Sequence, residues 1–79
     1  MRLDKFLKVS RIIKRRTVAN EVCQSSKVTV NGRLAKASYD VKVGDIVEIN
    51  FEQRTVKFRV ESVNEIVRKE DAPSMYTPL

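Results

Sequence analysis

The chain has 79 residues, of which 42% are hydrophobic and 33% are charged, and its formal net charge is +6. These proportions are typical of one small globular domain near the lower size limit for a single apolar core, and they exclude a disordered or fibrous chain. Because the sequence contains no His and only one Cys, it excludes an internal disulfide and predicts no zinc site and no other cofactor.

The positive charge is concentrated in residues 1–16, which hold seven Lys or Arg against one acid, whereas the rest of the chain has nine of each. A localised basic surface is typical of a protein that binds a polyanion. An amphipathic basic start also fits a mitochondrial targeting peptide, but a core this small needs Leu3, Phe6 and Leu7. No apolar run exceeds three residues, so we predict no membrane span and a cytoplasmic protein.

Two helices are predicted in the first third of the chain. Leu3, Phe6 and Leu7 have the spacing of one helical face, and we expect this helix to break near Ser10 because the adjacent Ile12 and Ile13 cannot share a face. A second helix is predicted over residues 17–24, with Thr17 as its N-cap. Its buried stripe should comprise Val18, Ala19, Val22 and Cys23, with the lone Cys acting as a small buried hydrophobe.

Short strands and turns follow the helices. Asn31 and Gly32 form a tight-turn signal between two short strands, and residues 42–45 form a second turn before a strand at residues 46–51. Residues 52–54 read as a hairpin loop, after which apolar and polar residues alternate from Val56 to Val60. We therefore predict an α+β domain over residues 1–64, with two N-terminal helices packed on a small, twisted, mainly antiparallel sheet.

Residues 65–79 become charged and then contain Pro73 and Pro78, which predicts an extended C-terminal tail. Met75 and Tyr76 are exceptions in this segment. Docking of these two side chains on the domain or on a partner, and plain disorder, both remain open.

The chain lacks the residue patterns of an enzyme. No nucleophile is paired with a base, no two carboxylates have catalytic spacing, and Gly32 and Gly44 lie in separate turns rather than in a phosphate-binding loop. We therefore predict a binding protein without catalytic activity.

Several short motifs, in this order and spacing, resemble the S4 RNA-binding domain. They are the opening RLDKFL, the KRRT before the second helix, the VNG turn and the VxxGD turn. Among stand-alone members, the sequence is similar to heat-shock protein 15 and more closely to the bacterial RqcP family, because KASxDVKxGD and the terminal MYT are also features of that family.

This resemblance implies a role in ribosome-associated quality control. Members of the RqcP family bind 23S rRNA and peptidyl-tRNA on obstructed large (50S) subunits and support alanine tailing of stalled nascent chains by RqcH. The alternatives are a factor like heat-shock protein 15, which recycles 50S subunits carrying a nascent chain, and a general S4 binder of structured RNA. The free protein is expected to be a monomer.

The family's RNA-binding motif maps onto the basic stretch of this chain. The residues it predicts are Arg2, Asp4, Lys8, Arg11, Lys14, Arg15 and Arg16, and the next candidates are Lys5, Arg33 and Lys36. Asp4 has three possible roles. It is an acid favoured by the dipole in the first turn of a helix, it orients Arg2 or Arg16 through a charge-assisted hydrogen bond, or it accepts a hydrogen bond from RNA.

The patch has many Arg and Lys and no evident aromatic platform, so we predict recognition of RNA shape and backbone. Two other classes remain open at this stage. They are a module that meets an acidic protein or an anionic membrane, and a small nuclease or RNA-modifying enzyme.

Overall fold

The computed structural model describes residues 1–79 and has the predicted α+β fold. Two α-helices near the N-terminus are followed by four strands, a 3₁₀ helix and a fifth strand. In chain order the elements are α1 (Leu3–Val9), α2 (Arg16–Gln24), β1 (Val28–Val30), β2 (Arg33–Leu34), β3 (Ile46–Asn50), β4 (Thr55–Val60), the 3₁₀ helix (Lys69–Met75) and β5 (Tyr76–Pro78). No helix is long and apolar enough to cross a membrane.

The five strands form a single sheet in the order β2-β1-β3-β4-β5, and every pairing is antiparallel. The predicted alternation of β3 and β4 is confirmed, since Val47, Ile49, Phe58 and Val60 are all completely buried. Side chains of successive residues point to opposite faces of a sheet, so Glu48 and Lys57, which lie opposite each other, occupy the other face.

Helix α1 packs onto this apolar face of the sheet. Leu3, Phe6 and Leu7 are completely buried, and the Phe6 ring stacks on the ring of Phe58 with centroids 6.1 Å apart. The start of α1 is also fixed through its backbone, because Leu3 N–H donates to the Tyr39 carbonyl at 2.8 Å. Helix α1 is therefore attached both to the sheet and to the segment before β3.

The connector between the helices corrects one prediction. As expected, α1 ends before Ser10, and Ile13 is buried while Ile12 is only half-buried. However, α2 begins at Arg16, and Arg15 takes the N-cap position with extended backbone and no side-chain cap hydrogen bond. Thr17 is therefore not the N-cap. A hydroxyl cap contributes only about 1 kcal/mol, and anchoring of the connector by buried Ile13 sets the start of the helix instead.

The buried stripe of α2 is narrower than the sequence predicted. Ala19 and Cys23 are buried and Val22 is half-buried, as expected, but Val18 is 40% exposed. The prediction for Val18 was therefore wrong, because α2 turns its Ala19 and Cys23 side toward the core.

The Asn31–Gly32 turn and the turn before β3 are joined by one carboxylate. Asp45, which is 9% exposed, accepts hydrogen bonds from Asn31 Nδ2 at 3.1 Å, from the Tyr39 hydroxyl at 3.1 Å and from Lys42 N–H at 3.0 Å. Both Asn31 and Gly32 have positive φ, at 53° and 84°, as a tight hairpin turn requires. The VNG and VxxGD motifs are thus two halves of one hydrogen-bonded structure.

The C-terminal segment is folded onto the sheet instead of forming the predicted extended tail. Met75 is 1% exposed, and its carbonyl accepts hydrogen bonds from the N–H groups of Glu61 and Ser62 at 2.8 and 3.2 Å. Tyr76 pairs with Val60 in the β4–β5 ladder, and its ring meets Phe58 edge-on at 5.4 Å. Of the two readings left open for Met75 and Tyr76, docking on the domain is the one observed.

Candidate nucleic-acid interface

A buried carboxylate organises the basic surface. Asp4 is only 2% exposed, yet its two oxygens accept hydrogen bonds from Arg2 Nε at 3.1 Å, Arg2 Nη2 at 3.3 Å and Asn20 Nδ2 at 3.2 Å. The Lys5 N–H donates to Oδ1 at 2.8 Å, and Arg16 Nη2 lies 3.6 Å from the same oxygen. We refer to Arg2, Asp4, Arg16 and Asn20 as the Asp4 cluster.

The charge state of Asp4 follows from these contacts. Burial favours the neutral acid, but hydrogen bonds from Arg2, Asn20 and the Lys5 backbone, together with the charge of Arg16, outweigh it and lower the pKa of Asp4 below its usual value. Asp4 is therefore ionised at neutral pH and holds both guanidiniums. This geometry matches the reading in which Asp4 orients the arginines, since almost none of its surface is open to RNA.

The two arginines present their free donors to solvent. The side chains of Arg2 and Arg16 are 51% and 50% exposed, whereas that of Asp4 is 3% exposed. A guanidinium has five N–H donors in a rigid planar fork, so one edge can bind Asp4 while the rest binds phosphate oxygens. The cluster thus fixes two guanidiniums side by side, one from the N-cap of α1 and one from the first residue of α2.

The other predicted cations of residues 1–16 lie outside the Asp4 cluster, and most of them are exposed and unpaired. Lys8, Arg11, Lys14 and Arg15 are exposed, and none of them forms an ion pair. Lys5 differs, because its ammonium pairs with Glu65 at 3.3 Å. The structure therefore leaves four further cations available to a ligand and partly neutralises the fifth.

A groove of about 530 Å³ lies between α2 and the segment that follows β2. It brings Lys36 to the same concavity as Arg2 and Asn20, so the basic surface continues beyond the helices. Arg33 is exposed on β2 but does not line this groove. The groove has no acidic residue in its lining, which suits a phosphate backbone.

Asn20 was missed by reasoning from the sequence. It lies four residues after Arg16 and therefore on the same side of α2, and this spacing is the signal that could have placed it beside Asp4. A neutral amide in a basic patch gave no electrostatic reason to single it out.

Comparison with known families matches residues 1–47 to the S4 domain. The chain belongs to the S4 domain family. The S4 match covers both helices and the strands through the start of β3, which is the part that carries the Asp4 cluster. The predicted resemblance to this family is therefore confirmed.

Related proteins extend this S4 match to nearly the whole chain. A protein of Halalkalibacterium halodurans named RQC P-site tRNA stabilizing factor is 57% identical over 96% of this chain and 86% of its own length. Proteins of the same name from Bacillus subtilis and Streptococcus pneumoniae are 52% and 55% identical, over 92% and 86% of their lengths.

A solved S4-type structure has the same fold. Heat Shock Protein 15 of Vibrio cholerae, described as trimeric, superposes with a TM-score of 0.91 at 28% identity, and the match covers 100% of this chain and 81% of that one. The chain is thus an S4-domain protein that resembles the RQC P-site tRNA stabilizing factors in sequence and Heat Shock Protein 15 in fold.

Proposed function

We propose that this chain is a non-catalytic RNA clamp of ribosome-associated quality control. It binds 23S rRNA and peptidyl-tRNA on obstructed 50S subunits in the cytoplasm and supports RqcH-dependent alanine tailing of the stalled chain. The proposal draws on the name shared by relatives that are 51–57% identical to it. The observation that carries it is the Asp4 cluster, in which a buried carboxylate holds two half-exposed arginines on the most basic part of the chain.

The clamp works through preorganised positive charge. Arg2 and Arg16 are held by Asp4, so binding RNA does not require ordering two flexible side chains first. Lys8, Arg11, Lys14 and Arg15 add unpaired cations around them, and Lys5, Arg33 and Lys36 are further contact candidates. We propose that Asp4 acts as a positioning residue rather than as a direct RNA contact.

If the chain contacts about five phosphates, the logarithm of its RNA-binding constant should fall with the logarithm of the salt concentration with a slope near −4 to −5, by the rule for duplex DNA. Binding to any single RNA is then modest at physiological salt. Specificity arises when rRNA and tRNA are presented together on the ribosome, because the second contact is made at a high effective concentration.

The proposal is tested by sedimentation through a gradient at low magnesium and moderate salt. The wild-type chain should co-migrate with 50S subunits that carry peptidyl-tRNA, and the Arg15→Glu variant, which changes an exposed cation outside the Asp4 cluster, should stay at the top while keeping its circular dichroism spectrum. Lys42→Glu is the matched control, because Lys42 is exposed and lies outside the basic stretch. A wild-type chain that stays at the top would contradict the ribosomal role.

A second function is favoured by the fold match with Heat Shock Protein 15. In that case the chain recycles 50S subunits and has no link to alanine tailing. Experiments in cells that lack the gene distinguish the two functions. Loss of alanine tails on a stalled reporter, restored by the wild-type chain but not by the Arg15→Glu variant, supports the clamp, whereas unchanged tailing with accumulated 50S–peptidyl-tRNA supports recycling.

A further inference from the structure

A second basic depression lies beside the helix connector and the β3–β4 hairpin. It has a volume of about 290 Å³ and shares no residue with the groove next to the Asp4 cluster. Its lining consists of Arg11, Ile12, Phe51, Arg54, Val56, Lys57, Phe58, Tyr76 and Pro78. Residues from the connector, from the β3–β4 loop, from β4 and from β5 therefore converge on one site.

The charge of this depression is entirely positive. Arg11, Arg54 and Lys57 are exposed, and none of them forms an ion pair. Of the five depressions on the surface, this one has three cations and no acid in its lining. Unpaired cations around a concave surface favour a polyanionic ligand.

Aromatic rings distinguish this depression from the groove beside Asp4. Phe51 and Tyr76 are half-buried and both line this depression. The guanidinium carbon of Arg54 lies 5.7 Å from the centre of the Phe51 ring. Aromatic rings and guanidinium planes are the surfaces on which unpaired RNA bases stack, and the absence of such a platform was an expectation from the sequence that this site revises.

The backbone of Arg11 holds this residue at the edge of the depression. Its φ is 63°, in the left-handed region that residues other than Gly rarely adopt. The turn is fixed on both sides, because Ser10 is 1% exposed and Ile13 N–H donates to the Leu7 carbonyl at 3.0 Å. The fold thus holds Arg11 in a backbone conformation that costs free energy, and it leaves the guanidinium of Arg11 without an ion-pair partner.

We propose that this depression is a second nucleic-acid site, which stacks unpaired bases of a single-stranded RNA segment on Phe51 and Tyr76 while Arg11 and Arg54 bind its phosphates. The inference rests on the proposed function for RNA as the partner. The inference adds a second binding surface, and it names single-stranded RNA as the ligand of that surface. The Asp4 cluster and this depression would then bind two different RNA elements.

The test is an amide NMR titration of the full chain with a short oligouridylate. Shifts are expected in Arg11, Phe51 and Arg54, and Phe51→Leu, which keeps an apolar side chain, should weaken binding about tenfold. Arg54→Gln should also weaken binding, whereas Lys42→Gln, with the same loss of charge outside every depression, should not. Shifts confined to the Asp4 cluster, or an unchanged affinity of Phe51→Leu, would overturn the proposal.

Polyglutamate binding and sedimentation with 50S subunits distinguish this proposal from a general anion surface and from failure of the ribosomal function. If polyglutamate binds the depression as tightly as oligouridylate does and is equally weakened in Arg54→Gln, the site is a general anion surface and the proposal fails. If the wild-type chain does not sediment with 50S subunits but oligouridylate binding still depends on Phe51, the ribosomal function fails and the second site stands. If the wild-type chain sediments with 50S subunits and Arg15→Glu does not, but the wild-type chain does not bind oligouridylate, the ribosomal function stands and the second site fails.

Discussion

Replacing Asp4 with Asn should destabilise the domain and loosen its RNA-binding arginines together. The amide oxygen of Asn can still accept the Lys5 N–H bond, but its NH₂ group would face the N–H donors of Arg2 and Asn20, which would then have no acceptor. Two hydrogen bonds to a charged acceptor are lost, as is the attraction to Arg16. We expect the free energy of unfolding to fall by about 2–3 kcal/mol, because Arg2 and Arg16 are half-exposed and regain water.

The variant should still be folded at about 25 °C, so this loss is measurable. A domain of 79 residues has a stability of roughly 4–12 kcal/mol at about 0.05–0.15 kcal/mol per residue. A loss of 2 kcal/mol should lower Tm by about 8–16 °C in a domain of this size. Urea denaturation followed by circular dichroism at pH 7 gives the difference directly, and Asp71→Asn, at an exposed carboxylate without a side-chain hydrogen bond, is the matched control.

The pH dependence gives an independent check. The pKa of Asp4 is lower in the folded protein than its value of 3.8 in the unfolded chain, so its stabilising contribution is complete above that value and is lost as the pH falls through the folded pKa. The wild-type chain and Asp4→Asn should therefore converge in stability in acid. Equal stability at pH 7, or a difference that persists unchanged at low pH, would refute the role assigned to Asp4.

Three other predictions concern separate parts of the molecule. Removing the charges of Arg15 and Arg16 by Gln substitution should reduce the log–log salt slope of RNA binding by about two, as measured by fluorescence anisotropy, and an unchanged slope would place both residues away from phosphates. Met75→Ala should lower the free energy of unfolding by about 2–4 kcal/mol because Met75 is 1% exposed, whereas an unfolded tail would show no change in urea denaturation. Burial, together with the charge of Asp4, raises the pKa of Cys23 to about 11, so iodoacetamide at pH 8 should modify it only in denaturant, and rapid modification of the folded protein would show an open helix interface.

The sequence was sufficient for most of the fold because its signals were local. The spacing of Leu3, Phe6 and Leu7 fixes the buried side of α1, and Asn31–Gly32 fixes the first hairpin. The fate of residues 65–79 depended instead on tertiary contacts. Docking of Met75 and pairing of Tyr76 with Val60 give this segment its structure, and neither leaves a periodic pattern in so short a stretch.

The candidate site shows the same division. Its basic residues could be predicted because their charge is concentrated in one stretch of sequence. That Asp4 orients Arg2 or Arg16 was one of the roles open from the sequence, which could not decide among them because the packing of α1 on α2 is what buries Asp4 against Arg16 and Asn20. The depression beside Phe51 was missed for a related reason: Arg11 and Arg54 are far apart in sequence and meet only through the fold.

The backbone attachment of α1 has a consequence for the order in which the molecule is made. Leu3 and Asp4 donate their N–H groups to the carbonyls of Tyr39 and Ala37, and the Met1 carbonyl accepts from Val41 N–H at 2.8 Å. The first helix to leave the ribosome therefore lacks these backbone attachments, and the sheet it packs on, until the middle of the chain has followed it. During synthesis, the most cationic segment of the nascent chain emerges next to the ribosome's own RNA before the contacts that shape it into a binding surface exist.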